Sequence, residues 1–96
     1  MHAPLAPEKR LLLRAAELLR ERGHCKHMML DPLGRMCAMG AIFAAMEEKP
    51  EMVSHMPAAR SLLADAVLPE NVPGWNNADE RTAEDVIGKM ERLALS

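Results

Sequence analysis

Met36-Cys37-Ala38-Met39-Gly40-Ala41-Ile42-Phe43-Ala44-Ala45-Met46 carries eleven consecutive residues without a charge or a polar side chain. A helix that crosses a bilayer needs about 20 apolar residues, so this run is too short for one and the chain is read as having no membrane partner. It is also too continuous for a helix with one wet face. The reading is a helix over 37–48, buried on nearly all sides, that forms the centre of the fold. Gly40 inside it costs about 1 kcal/mol relative to Ala. Its use there would be to let another backbone come close. Glu47, Glu48, Lys49 and Pro50 end the run.

Working outward toward the N-terminus, Asp31-Pro32-Leu33-Gly34 has Asp, Pro and Gly at the first, second and fourth positions of a tight turn. Residues 24–30 lack a helical stripe, so a short β-hairpin or hairpin-like loop is expected between the first two helices. Before it, Leu11, Leu12, Ala15, Ala16, Leu18 and Leu19 recur at helical spacing. Pro7 can open that helix, Glu8 and Arg20/Arg22 suit its dipole, and Gly23 stops it, giving a helix over 7–22.

Toward the C-terminus, residues 51–56 suggest one helical turn. Pro57 then opens a helix whose buried face is Ala59, Leu62, Leu63, Ala66 and Val67, and Pro69 closes it. Glu70-Asn71-Val72-Pro73-Gly74 reads as a loop, with Trp75 anchoring it. Thr82-Ala83-Glu84-Asp85 is close to a capping box and starts a last helix with Val86, Ile87, Met90, Leu93 and Ala94 on one side. The fold class is therefore all-α: a single small domain over residues 1–96, four helices in all, with the second buried at the centre and the others packed around it.

Composition narrows the function. Hydrophobic residues make up 49% and charged residues 27%, which is ordinary for a soluble domain and excludes wholesale disorder. The net charge is −2. The Lys and Arg of the first helix alternate with Glu8, Glu17 and Glu21, unlike the one-signed face of a nucleic-acid binder, so no nucleic acid is expected. Residues 1–7 lack the basic start and apolar core of a secretory leader. The location is read as cytoplasmic, with Cys25 and Cys37 reduced. Aromatics are limited to Phe43 and Trp75, and nine Met supply much of the apolar volume. Met adapts to irregular gaps and to varied partners alike. Met28, Met29, Met52 and Met56 lie outside the strongest helix patterns and are the candidates for a partner surface. Trp75 and Arg81 join them, because both residue types are common at binding hot spots; the bland alternative is a Trp-anchored loop with Asn76 and Asn77 capping nearby backbone.

His24, Cys25, His27 and Cys37 form the densest reactive group. Zinc takes such ligands, but Cys-x-His is tighter than the usual pairs and His55 would have to complete the set. The plainer reading is two small buried thiols, no metal and no cofactor. A Cys25–Cys37 disulfide or redox switch across the turn is conceivable. A Cys37 nucleophile with His24 or His27 as base and Asp31 as orienter can be drawn. The same drawing exists for most small chains with two Cys and four His, so the chain is read as non-enzymatic.

Gly23-His24-Cys25, Gly34-Arg35-Met36-Cys37-Ala38-Met39-Gly40-Ala41-Ile42, Trp75-Asn76-Asn77 and Arg81-Thr82-Ala83-Glu84-Asp85-Val86 follow one another in an order that resembles a family of small proteins of unknown function from actinobacteria and their phages. The resemblance covers roughly residues 10–94. Family members commonly have Asp where this chain has Asn77, a departure that weakens any case for an acid there. The resemblance brings no activity with it. For a phage-borne member it implies a host-directed binding role, by analogy alone. The expectation is a small cytoplasmic interaction module that binds another protein or itself, as a homodimer; the alternative is a metal- or redox-responsive regulator built on the His24/Cys25/His27/Cys37 group.

Overall fold

Helix α1 (Pro7–Arg22) is the element on which α2 (Ala38–Glu48), α3 (Met56–Ala66) and α5 (Ala83–Leu95) pack in the computed structural model, which describes residues 4–96. Residues 1–3, part of the stretch read above for a leader, lie outside the described residues. Pro7 occupies the first turn of α1, where a missing N–H costs nothing. Gly23, at φ +98°, ends the helix and donates its N–H to Leu19 O at 2.8 Å. Leu11, Leu12, Ala15, Ala16, Leu18 and Leu19 are all buried. A fully buried Leu is worth about 1.5–3 kcal/mol, so these four leucines and two alanines make α1 the main source of core area.

α5 runs antiparallel to α1. Lys9 Nζ reaches Ser96 O at 2.6 Å at one end, and Arg20 reaches Glu84 and Glu91 at the other. The start of α5 is a capping box: Thr82 Oγ1 accepts the Asp85 N–H at 3.1 Å, and Asp85 Oδ2 accepts the Thr82 N–H at 2.9 Å. Val86, Ile87, Met90 and Ala94 are its buried side.

The helix expected over 37–48 forms as α2, with Cys37 as its N-cap, but α2 is not enclosed. Ala38, Ala41, Ile42 and Ala45 are buried; Met39, Phe43, Ala44 and Met46 are only half-buried. A chain this short has too few elements to cover a helix all round. The wide leucine stripe of α1 takes the central place, and α2 lends it small residues that pack closely. The glycine expectation holds: a Cβ on Gly40 would collide with the carbonyl oxygen of Met29.

Two further corrections concern the count and type of elements. Val72, Pro73 and Gly74, expected within a loop over 70–74, instead open a short helix, α4 (Val72–Asn77). Asn71 Oδ1 accepts the Gly74 N–H at 2.7 Å, and Pro73 sits in the first turn, so the residues read as breakers serve as a helix start. The turn expected near 51–56 is a 3₁₀ helix, Pro50–His55, leading into α3. Its Met52 and the first residue of α3, Met56, are in the core, 7% and 6% exposed. No strand occurs among the described residues, and the connection between α1 and α2 has two isolated β-bridges instead. No helix among them is long and apolar enough to cross a membrane.

Candidate functional site

Residues 23–37 fold about the backbone of Met36, whose side chain is buried in the core. Its backbone pairs with His24 in parallel register, through Cys25 N–H to Met36 O at 2.9 Å and Met36 N–H to Gly23 O at 3.1 Å. It pairs with Leu30 in antiparallel register, through Asp31 N–H to Arg35 O at 2.9 Å and Cys37 N–H to Met29 O at 3.2 Å. The Asp-Pro-Leu-Gly turn closes as the spacing predicts, with Gly34 N–H on Asp31 O at 2.9 Å and Gly34 at φ +84°. Asp31 holds the turn from inside. Oδ1 accepts the Leu33 and Arg35 N–H groups, and Oδ2 accepts Arg35 Nε. Burial would raise its carboxyl, but the Arg35 N–H and guanidinium and the Leu33 N–H outweigh that and hold it below the usual carboxylate range.

Asn76 on α4 fixes this loop to α2. It is 1% exposed. Oδ1 accepts the Ala38 N–H at 3.0 Å and meets His24 Nε2 at 2.8 Å; Nδ2 donates to Cys25 O at 3.2 Å and Asn77 Oδ1 at 3.0 Å. All four hydrogen-bonding positions of the carboxamide are used. The amide stands between Cys25 O and Ala38 N, where a continued ladder would have joined those two groups directly, so a side chain serves as an inserted peptide unit. Asn77 Oδ1 also accepts the His27 N–H at 2.8 Å, which secures His27 at φ +70°. Lys26 Nζ adds a bond to Ala78 O at 2.6 Å.

Between this loop, α2 and α4 lies an apolar groove of about 300 Å³, lined by Met28, Met29, Met39, Phe43, Val72 and Pro73, with Cys37 and His27 at its edge. Met28 and Met29 are 49% and 46% exposed, and Leu30 and Leu33 on the same loop are more so, at 62% and 77%. Of the expected interaction residues, Met28 and Met29 thus line one surface. Met52 and Met56 are core and are not part of that surface. Trp75 is 5% exposed: its carbonyl accepts Arg81 Nε at 3.0 Å, and the Arg81 guanidinium lies 5.2 Å from its ring centroid. Arg81 also faces Glu70 at 3.8 Å. The pair is the structural anchor given as the alternative.

The His24/Cys25/His27/Cys37 group is not brought to a common point. His24 is spent on Asn76. Cys25, 8% exposed, donates its thiol to Met28 O and Arg35 O, each at 3.3 Å. Burial pushes that thiol up, with Asp31 and Cys37 adding to it. Cys37 caps α2, its sulfur accepting the Gly40 N–H at 3.3 Å. Both cysteines are free. His27 is exposed, and His55 sits on the 3₁₀ helix. No group of three or more His, Cys, Asp or Glu among the described residues could hold a metal ion.

The groove's Met39, Phe43, Val72 and Pro73 were not foreseen as a surface. Met39 and Phe43 fall in the uncharged run that reads as a helix buried on nearly all sides, and Val72 and Pro73 in a stretch that reads as loop. Asn76 was foreseen only as a backbone cap; nothing in Trp-Asn-Asn marks one amide as buried and the other as half-exposed.

A search of the curated proteins and a search of the solved structures return no match. A protein-family model, by contrast, matches residues 3–95, and the chain belongs to that family, DUF6197, a family of unknown function.

Proposed function

We propose that the chain is a small protein-interaction module that docks an apolar segment of another protein, or of a second copy of itself, in the groove between the 24–37 loop, α2 and α4. The observation that supports this is the run Met28, Met29, Leu30 and Leu33, all about half exposed or more, beside a groove floored by Met39 and Phe43. Leaving this much apolar side chain in water is unfavourable unless something covers it, and methionines fit varied occupants. The loop beneath is held rigidly by Asp31 and Asn76, so little order has to be created on docking. The role is one of binding: Asn76 and Asn77, the amides nearest the groove, are occupied by backbone and loop contacts. The reading places the module in the cytoplasm, and in a phage-borne member the partner would be a host protein.

The test compares the wild-type chain with a Met28→Glu/Met29→Glu variant. Sedimentation over a range of concentrations reads self-association, and affinity capture reads other partners. The expected result is a stoichiometric complex, with self or partner, that the variant loses while its thermal midpoint stays unchanged. A wild-type chain that stays monomeric and retains nothing, or a complex indifferent to both substitutions, overturns the reading.

A further inference from the structure

We propose that Cys25 and Cys37 are a thiol pair which a low-molecular-weight disulfide converts to an intrachain bond, and that closure displaces the Met28–Met29 segment at the edge of the groove. Their placement carries this. His24 and Met36 are paired in parallel register, and Cys25 and Cys37 follow them by one residue on the two segments. Segments so paired run about 4.8 Å apart, and residues in register point to the same side. A disulfide needs Cα atoms about 4.4–6.8 Å apart. Cys25 N–H still bonds Met36 O, and the Asn76 carboxamide parts the segments from the Cys25 carbonyl and the Ala38 N–H onward. Both cysteines also border one stretch of backbone. Cys25 Sγ donates to Met28 O at 3.3 Å, and the Cys37 N–H donates to Met29 O at 3.2 Å.

The two thiols are unequal. Cys37 is half-buried and lines the groove; Cys25 is buried beneath the loop. The order of events follows. The Cys37 thiolate attacks one sulfur of the incoming disulfide, whose S–S bond breaks, and one small thiol leaves. Cys25 then gives up its proton to water, its sulfur attacks that of Cys37, and the second small thiol is expelled. Two protein thiols are oxidised, and one external disulfide is reduced to two thiols. Cys37 sulfur drawn toward Cys25 no longer caps the Gly40 N–H, and Cys25 no longer holds Met28 O and Arg35 O. The Met28–Met29 backbone, packed against Gly40, loses its tie to the Cys25 thiol, and the movement of Cys37 toward Cys25 strains the Cys37 N–H bond to Met29 O that remains.

The experiment treats the full reduced chain with oxidised glutathione, quenches with acid, and reads intact mass and the peptide map. The expected course is a transient adduct on Cys37, followed by a monomer two hydrogens lighter with Cys25 joined to Cys37. Amide exchange at Met28–Leu30 and in the first turn of α2 rises in that product. A lasting adduct with Cys25 still reduced, a bond between two chains, or no consumption of thiols overturns the proposal. Cys25→Ser should stop at the adduct, but a hydroxyl in that buried place can unfold the chain. Iodoacetamide on the wild-type protein supplies the second arm: Cys37 should alkylate roughly ten-fold faster than Cys25, and the alkylated protein should no longer close. Equal rates overturn the order of attack. No partner enters these measurements, so their failure leaves the docking reading standing, and the reverse.

Discussion

Among single residues, Asn76 and Gly40 bear most directly on the site. Asn76→Ala strands the Ala38 N–H and the Cys25 carbonyl in a buried place and frees His24. Each buried group left without a partner costs about 1–3 kcal/mol, so urea unfolding of the variant should show a loss of about 2–6 kcal/mol. Asn77 is different, because the contacts made by its side chain are to Oδ1 alone. A carboxylate would accept the same two N–H groups, so Asn77→Asp should stay within about 1 kcal/mol of wild type by the same measurement, whereas Asn77→Leu should destabilise. Gly40→Ala should be destabilising although Ala is the better helix former by about 1 kcal/mol, because the added carbon meets the Met29 carbonyl. The need for Gly40 could be read from an apolar helix that tolerates a glycine. The role of Asn76 could not, because its four partners come from residues 24, 25, 38 and 77, and three of these are far away in the chain.

At the level of elements, α1 and α5 were legible nearly to the residue. Each is a regular apolar stripe bounded by capping chemistry that acts within a few residues: Pro7 and Gly23 for one, Thr82 and Asp85 for the other. The Asp31–Gly34 turn was legible for the same local reason. α4 was not. Pro73 and Gly74 break helices in an interior but are tolerated in a first turn, and which applies depended on the Asn71 cap. The enclosure expected of α2 also failed, because an uncharged run states what a helix can bury and is silent on how many neighbours exist to cover it. The groove is the remainder of that difference. The turn makes a pH prediction. Asp31 in the folded chain titrates below its unfolded value of about 3.9. Its contribution is therefore full above that value and falls away as the pH drops through the folded one. Glu48, held down by Arg14, and Asp85, held down by the Thr82 N–H and hydroxyl, act in the same sense. Unfolding followed by circular dichroism should show stability declining below about pH 4. Asp31→Asn, which keeps an acceptor for the Leu33 and Arg35 N–H groups, should be less stable at neutral pH and show a shallower decline.

Over the whole molecule, the core is a set of helix packings centred on α1. Leu12→Ala should cost about 2–5 kcal/mol, measured by denaturant unfolding, since Leu12 is fully buried in the helix that every long neighbour touches. The ion pairs that cross from Arg20 to Glu84 and Glu91 are exposed and count for far less; Arg20→Ala should change stability by under about 1 kcal/mol. The antiparallel pairing of α1 with α5 also has a practical outcome. Lys9 and Ser96 meet at one corner, while α1, sixteen residues and about 24 Å long, delivers the chain to the 24–37 loop at its other end. A tether attached after Ser96 therefore emerges from the pole opposite the methionine loop. Immobilisation on a sensor chip through the C-terminus, or fusion to a reporter there, leaves that loop facing outward and free to engage.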